Sequence, residues 1–421
     1  MGLARIAAAV VLVLVLSAPA GANGLPTARP DEVGLSAERL ERIGRTVRTD
    51  VERGRLPGAV IAVARRGRLA YLEAVGFRDR ATNAPMTTDA IFRLASMTKP
   101  MASVAAMMLY EEGRLFLSDP VSKHLPALGK LQVGVEQIDP ATGRATSYTV
   151  PAQREMTVQD LLRHTSGLTY GTRGTTQIHK YYPEGSSVAS RTLSATELIE
   201  RLSKAPLLYQ PGTTWEYGFS TDVLGLVVEA VAGKTLGAFL EERVFKPLAM
   251  TDTVFVVPPA KVGRIAQPLA KDPDTGRDIT MPDFTVPAKF ECGGACAVST
   301  AGDYVRFAQM LLNRGSLDGA RILGRKTVEY MTSDHLGTTI ASARVPNAYG
   351  FGLGFAVRRA AGGPDLTGSA GDYNWAGAYG TYFWVDPKEE LAVVYMAQAP
   401  NAIRLHYRDL VKSLVLQAIA D

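Results

Sequence analysis

The strand-forming runs of this chain lie at its two ends, and the stretch between them reads mostly as helices. Near the start, GAVIAVARRGRLAYLEAVG (Gly58 to Gly76) holds two β-branched runs broken at Arg66-Gly67, the pattern of a hairpin. Near the end, FGLGFAVRR (Phe351 to Arg359), WAGAYGTYFWVD and ELAVVYMAQ read as consecutive antiparallel strands, the last two joined around Pro387-Lys388-Glu389. Between them TVQDLLRHTSGL (Thr157 to Leu168), SATELIERLSKAP (Ser194 to Pro206) and STDVLGLVVEAVAG (Ser220 to Gly233) each carry a cap residue and an apolar stripe at helical spacing. A further amphipathic helix opens at Ser36 with Leu40, Ile43 and Val47 on one face, and a last one runs roughly from Ile403 to Ala420. Lys130 to Pro151 reads as an inserted hairpin turning at Thr142-Gly143. This order predicts an α/β (α+β) fold: an antiparallel sheet built from N- and C-terminal segments, flanked by helices, with a mostly helical subdomain inserted at roughly residues 105–285. With no internal repeat or linker, residues 23–421 form a single domain in this reading.

The first 22 residues read as an export signal. Arg5 gives a short positive start, Ile6 to Leu16 is apolar, and SAPAGAN offers cleavage after Ala20 or Ala22. The apolar run falls short of the roughly 20 residues that span a bilayer, so a periplasmic or secreted chain with no stable membrane insertion after cleavage is expected. The formal charge of +5, from 46 basic and 41 acidic residues, is spread along the sequence without a basic arm. Nucleic acid is therefore not an expected partner. Cys292 and Cys296, in ECGGACAV, could pair in an oxidising compartment or remain two free, partly buried thiols. A zinc site has no support, since no histidine or second cysteine pair lies nearby in sequence.

The chemically suggestive stretch is LASMTKPM, residues 94 to 101, with Ser96 three positions ahead of Lys99. A serine at a helix start can simply cap it. It can also be a nucleophile: the i, i+3 spacing puts both side chains on one face, and a helix N-terminus favours developing negative charge. Leu94, Met97, Met101 and Val104 would desolvate the amine and make it a usable base. This is the only Ser-x-x-Lys in the chain, and the other hydrolase patterns fail: there is no G-x-S-x-G and no H-E-x-x-H. The GKT at Gly233 lacks the upstream glycine of a phosphate-binding loop, and no dinucleotide-binding glycine pattern occurs.

IFRLASMTKPM, LLRHTSGLTYG, YQPGTTWEYGFSTDVLG, GGACAVSTAGDY and NWAGAYGTYFWVDP, in that order, give the chain a resemblance to the serine β-lactamase-like superfamily. That superfamily has the class C β-lactamase and D-Ala-D-Ala carboxypeptidase fold, and the likeness is closest to the family VIII carboxylesterases. The resemblance extends from about Leu35 to the C-terminal helix. It implies Ser96 as nucleophile, Lys99 as its partner and Tyr217, in Tyr217-Gly218-Phe219, as general base. It implies an oxyanion hole from the backbone N–H groups of Ser96 and Ala378, and a third motif at Trp375-Ala376-Gly377. His335-Leu336-Gly337 imitates that motif but follows a helix end and is rejected. His164 and Asp303 fall in family motifs and are read as structural, the first bonding or capping backbone, the second capping a helix. The cysteine loop is expected at the rim of the site, where a disulfide would stiffen the entrance.

Two departures steer the expected chemistry. Trp375 stands where the β-lactamases place a lysine that anchors a substrate carboxylate, and Phe219 stands where an asparagine reads an amide. Trp375, Gly377 and Phe219 would then line a more apolar substrate site. The resemblance therefore implies a serine carboxylesterase, acting on small, short-chain esters through a Ser-Lys-Tyr acyl-enzyme without a cofactor. A β-lactamase or D-amino-acid peptidase, and an acyltransferase on the same fold, are the alternatives.

Overall fold

The computed structural model describes residues 24–143, 145–342, 348–362 and 367–421. The expected leader, residues 1–22, lies outside the described residues. Strands from the two chain ends join in one eight-stranded sheet. Its order is Tyr349–Phe351, Ala356–Arg358, Tyr373–Ala376, Tyr382–Asp386, Leu391–Ala397, Gly58–Arg65, Arg68–Asp79 and Ala84–Pro85. Every neighbouring pair is antiparallel. The seam between the ends pairs Ile61 with Tyr395 and Val63 with Val393.

Alternation explains why this sheet is covered on both sides. In Gly58–Arg65, Val60, Ala62 and Ala64 point into one apolar layer while Ala59, Ile61 and Val63 point into the other. Leu391–Ala397 alternates in the same way. The second layer is filled by Leu40, Ile43 and Val47 of the Ala37–Glu52 helix and by Tyr407, Val411 and Val415 of the Ile403–Leu416 helix. Each fully buried aliphatic side chain contributes roughly 1.5–3 kcal/mol. A one-residue register slip would turn every such side chain to the wrong layer. On the opposite face the Ala301–Leu312 helix packs against the central strands. The Thr98–Glu111 helix runs along Ser220–Ala232.

Several expected elements form for the expected reasons. The Ser36 hydroxyl accepts from the Arg39 N–H at 3.3 Å and starts its helix. The Arg66-Gly67 turn has left-handed φ angles of 53° and 75°, matching the twist of a tight hairpin. The inserted hairpin pairs Gln132–Ile138 with Ala145–Pro151.

Other elements differ. The stretch read as one strand from Phe351 to Arg359 is two, reversing at Gly354 with φ +104°. WAGAYGTYFWVD likewise divides into Tyr373–Ala376 and Tyr382–Asp386 around a turn. The helix expected through Leu168 ends at Leu162, because His164 turns into the left-handed region at φ +58°. Ser220 caps nothing; its buried hydroxyl meets that of Ser166 at 2.9 Å. Asp303 is not the cap of its helix, a role taken by Thr300, whose hydroxyl accepts from the Asp303 N–H at 3.1 Å.

Asp372, just ahead of the Tyr373–Ala376 strand, is the centre of a fully buried ion cluster. One carboxylate oxygen meets Arg358 Nε and Lys412 Nζ, each at 3.0 Å, tying the last helix to the strand that carries Trp375. Removing one member leaves charge stranded in the core, so Asp372→Ala should lower stability by about 3–5 kcal/mol in denaturant unfolding. Burial raises the Asp303 carboxyl from an ordinary 3.8 to about 6. The folded state then binds this proton more tightly than the unfolded chain, so this group's contribution to stability falls as pH rises from about 4 to 6. Asp303→Asn should remove that dependence, seen as a difference between variant and wild-type unfolding curves across the window.

Candidate active site

Ser96 lies in a single 3₁₀ turn, Ala95–Met97, that runs directly into the Thr98–Glu111 helix. Ala95, just before it, has φ +48°, a left-handed conformation that costs a residue with a Cβ. Bonds from three directions hold this turn. The Thr98 hydroxyl donates to the Ala95 carbonyl at 2.8 Å, and the Thr381 hydroxyl donates to the Leu94 carbonyl at 3.0 Å. The Tyr304 hydroxyl donates to the Met97 carbonyl at 2.8 Å. Pro100 is harmless in the first helical turn, where its missing N–H has no helical acceptor.

Lys99 is 1% exposed, yet its ammonium is not simply desolvated by apolar neighbours. It donates to Gly294 O at 2.7 Å, Tyr170 Oη at 3.3 Å and Ser96 Oγ at 3.4 Å, which uses all three of its protons. Tyr170 and Ser186 share a hydrogen bond of 2.7 Å, and the Ser186 hydroxyl reaches Asp222 Oδ2 at 2.7 Å. Asp222 Oδ1 accepts from the Gly294 N–H at 3.0 Å, closing a ring back to the carbonyl that holds the lysine. Asp222 is entirely buried, and burial pushes its carboxyl upward against the opposing pull of the Lys99 charge. Burial and then the Asp222 charge push the Tyr170 phenol well above its ordinary range, so it is a neutral partner for Lys99 at pH 7.

Tyr217 stands on the other side of the ammonium, with Lys99 Nζ 4.5 Å from its ring centre. Its buried Oη has no hydrogen-bond partner among the described residues. An aromatic group surrounds it: His164 at 4.7 Å, Trp375 at 5.5 Å and Trp215 stacked at 6.0 Å. Phe351 adds an edge to Trp375 at 5.2 Å. His164 does not cap a helix; its ring packs on Tyr217, and burial and then the Lys99 charge hold its pKa well below the ordinary value. The imidazole is therefore neutral at pH 7.

The third motif meets the nucleophile turn through backbone. A Cβ at Gly377 would collide with the Leu94 carbonyl and the Thr381 hydroxyl, so only glycine lets this strand approach so closely. The Gly377 carbonyl accepts from the Gly380 N–H at 3.2 Å and from Arg408 Nη2 at 2.5 Å. The Ala378 N–H makes no hydrogen bond among the described residues. His335 is elsewhere, bonded to the Tyr330 carbonyl beyond a helix end.

Two expected positions need correction. Phe219 is fully buried, edge-on to Tyr170 at 4.7 Å, and has no surface to offer a substrate. It supports Tyr170 from behind. Cys292 and Cys296 form a disulfide, but both are buried and their loop lies behind Lys99, not at the rim. Tyr170, Ser186 and Asp222 have no spacing signal in the sequence. Tyr170 and Asp222 fall inside motifs that carry the resemblance, but only the folded ring shows what they touch.

The folded chain thus has the β-lactamase/transpeptidase-like architecture: a helix-flanked antiparallel sheet with a half-buried serine on a buried lysine at the head of a helix. A model of the Beta-lactamase family matches residues 43–414, and the chain belongs to that family. It is 35% identical to Protein Rv1367c of Mycobacterium tuberculosis, over 84% of this chain and 88% of that one. It is 32% identical to Esterase EstB of Burkholderia gladioli, over 81% of this chain and 86% of that one. Among solved structures it is similar to EstCE1, described as a hydrolase with promiscuous acyltransferase activity, with a TM-score of 0.70 and 27% identity. That match covers 90% of this chain and 98% of the other. The family and these relatives support a serine hydrolase.

Substituting Gly377→Ala should push the Trp375 strand off the nucleophile turn. The cost of such overpacking, about 1–3 kcal/mol, should appear as a lower melting temperature.

Proposed function

We propose that this protein is a serine carboxylesterase acting on small, neutral, short-chain esters. The observation that carries the reading is the Ser96–Lys99 contact, set beside the half-buried rings of Tyr217 and Trp375, which the buried Trp215 and Phe351 back from the core. Trp375 offers no charge to a substrate carboxylate. Arg173, whose guanidinium carbon is 5.6 Å from the Tyr217 ring centre, is already paired with Glu216 at 3.6 Å. Such surroundings favour an uncharged acyl or alkyl group over an anionic β-lactam or peptide. The name of the EstB relative points the same way.

In this mechanism Ser96 Oγ attacks the ester carbonyl and its proton passes to Tyr217. The base in this proposal is the Tyr217 phenolate, whose ring centre lies 4.5 Å from the Lys99 ammonium. Tyr170 cannot take this role, because burial and Asp222 keep it protonated. It orients Lys99 instead. Developing negative charge on the carbonyl oxygen is met by the N–H groups of Ser96 and Ala378. Tyr217 returns the proton to the leaving alcohol, and water releases the acyl group by the same route. An alcohol in place of water would give acyl transfer, the second activity named for EstCE1. We further propose that residues 1–22 direct the chain to the periplasm or outside the cell, which N-terminal sequencing of the exported product would test.

The test is a panel of p-nitrophenyl esters with nitrocefin and a D-Ala-D-Ala peptide beside them. Short-chain esters should turn over and the other two should not; preferred turnover of nitrocefin would replace the esterase reading with a β-lactamase one. Ser96→Ala should abolish ester turnover. Tyr217→Phe and Lys99→Ala should each reduce kcat by about 10²–10⁴, the usual scale of general acid–base catalysis. Tyr170→Phe should cost less, about tenfold, the scale of one weakened hydrogen bond to a charged group.

A further inference from the structure

The shortest bond to the Lys99 ammonium comes from a backbone carbonyl, not from the serine or a tyrosine. That carbonyl belongs to Gly294, in the middle of the five-residue loop closed by the Cys292–Cys296 disulfide. We infer that this disulfide-closed loop is a positioning device for Lys99, setting the ammonium between Ser96 and Tyr217. The inference deepens the proposed reading of the site and rests on it for the role of Lys99.

The loop is suited to that task. Two consecutive glycines, Gly293 and Gly294, give it more conformational freedom than other residues would. Neither can be replaced without collision. A Cβ at Gly293 would meet the Thr221 carbonyl, and one at Gly294 would meet the Ser186 hydroxyl and the Asp222 carboxylate. The chain must therefore pass close to the Lys99 network, with no side chains of its own at these two positions to hold it there. Asp222 grips the Gly294 N–H at 3.0 Å, so the peptide is held on one side while its carbonyl faces the ammonium on the other.

The C-terminal end of the loop is fastened to the nucleophile turn. Ala297, next to Cys296, accepts from the Leu94 N–H at 3.0 Å and donates to the Thr98 hydroxyl at 3.1 Å. The residue before the loop, Glu291, accepts from the Gly237 N–H at 2.6 Å. The disulfide joins these two ends with Cα atoms 5.2 Å apart, and both sulfurs belong to buried residues. A covalent closure of so short a loop removes the alternative paths that two glycines would otherwise allow. Ser96, through its own turn, and Lys99, through Gly294, are thereby referenced to the same strap of chain.

The experiment compares the oxidised wild type with Cys292→Ser/Cys296→Ser. It measures kcat and KM on a p-nitrophenyl ester, the melting temperature, and the side-chain nitrogen NMR signal of Lys99 in protein labelled with ¹⁵N-lysine. The signal is assigned by its absence in Lys99→Arg. The expected result is a kcat lower by about tenfold with little change in KM, the effect of weakening one hydrogen bond to a charged group. The Lys99 ammonium signal, sharp when its protons are held away from water, should broaden in the variant. Unchanged kcat and an unchanged ammonium signal would overturn the inference, as would two free thiols by mass spectrometry in protein purified without reductant. If the double variant does not fold, reduction of the folded wild type by dithiothreitol followed by reoxidation gives the same comparison. Activity and signal should then be lost and regained together. If the wild type shows no ester hydrolysis, the esterase reading fails by itself, while the ammonium signal still decides whether the loop holds Lys99.

Discussion

The buried ammonium of Lys99 is the constraint around which this molecule is arranged. A charge so thoroughly removed from water is tolerated only when its protons have acceptors, and here three oxygens from three separate segments supply them. Each of those segments is held by further bonds. Tyr170 is tied through Ser186 to Asp222, Gly294 is tied to the same carboxylate, and Ser96 sits in a turn braced by Thr98, Thr381 and Tyr304. The network is polar at the centre and aromatic at one flank, so the cation has oxygens on one side and the Tyr217 ring on the other.

The sheet makes this arrangement possible by joining the two ends of the chain. Gly58–Arg65 pairs with Leu391–Ala397, and the strands beyond place Trp375 and Gly377 beside the turn that carries Ser96. The last helix has two tasks in this layout. Lys412 joins the buried ion cluster on Asp372, and Arg408 grips the Gly377 carbonyl. One terminal element thus fixes the strand that carries the third motif at two points.

Much of the architecture was legible because apolar periodicity and turn chemistry act over short distances. The hairpin at Arg66-Gly67, the capped helix from Ser36 and the inserted hairpin at Thr142-Gly143 all formed as their residues indicate. The errors have local causes. Gly354 reverses what looked like one strand, and His164 ends a helix that its neighbours would have continued. Phe219 looked available to a substrate because the resemblance sets it where an amide-reading asparagine is expected. Packing against Tyr170 places it in the core instead.

By itself the sequence determined the order of its main helices and hairpins and the presence of a serine and a lysine one helical turn apart. Those properties depend on residues near each other along the chain. Only the tertiary structure decided which tyrosine bonds the lysine, which carboxylate closes the ring and where the cysteine loop lies. Tyr170, Asp222 and Gly294 are far apart in sequence, and their contacts exist only once the sheet has drawn the ends together and the helices have packed. Whether Cys292 and Cys296 pair, and that their loop reaches Lys99, likewise follows from how the backbone is held by Asp222, Leu94 and Thr98.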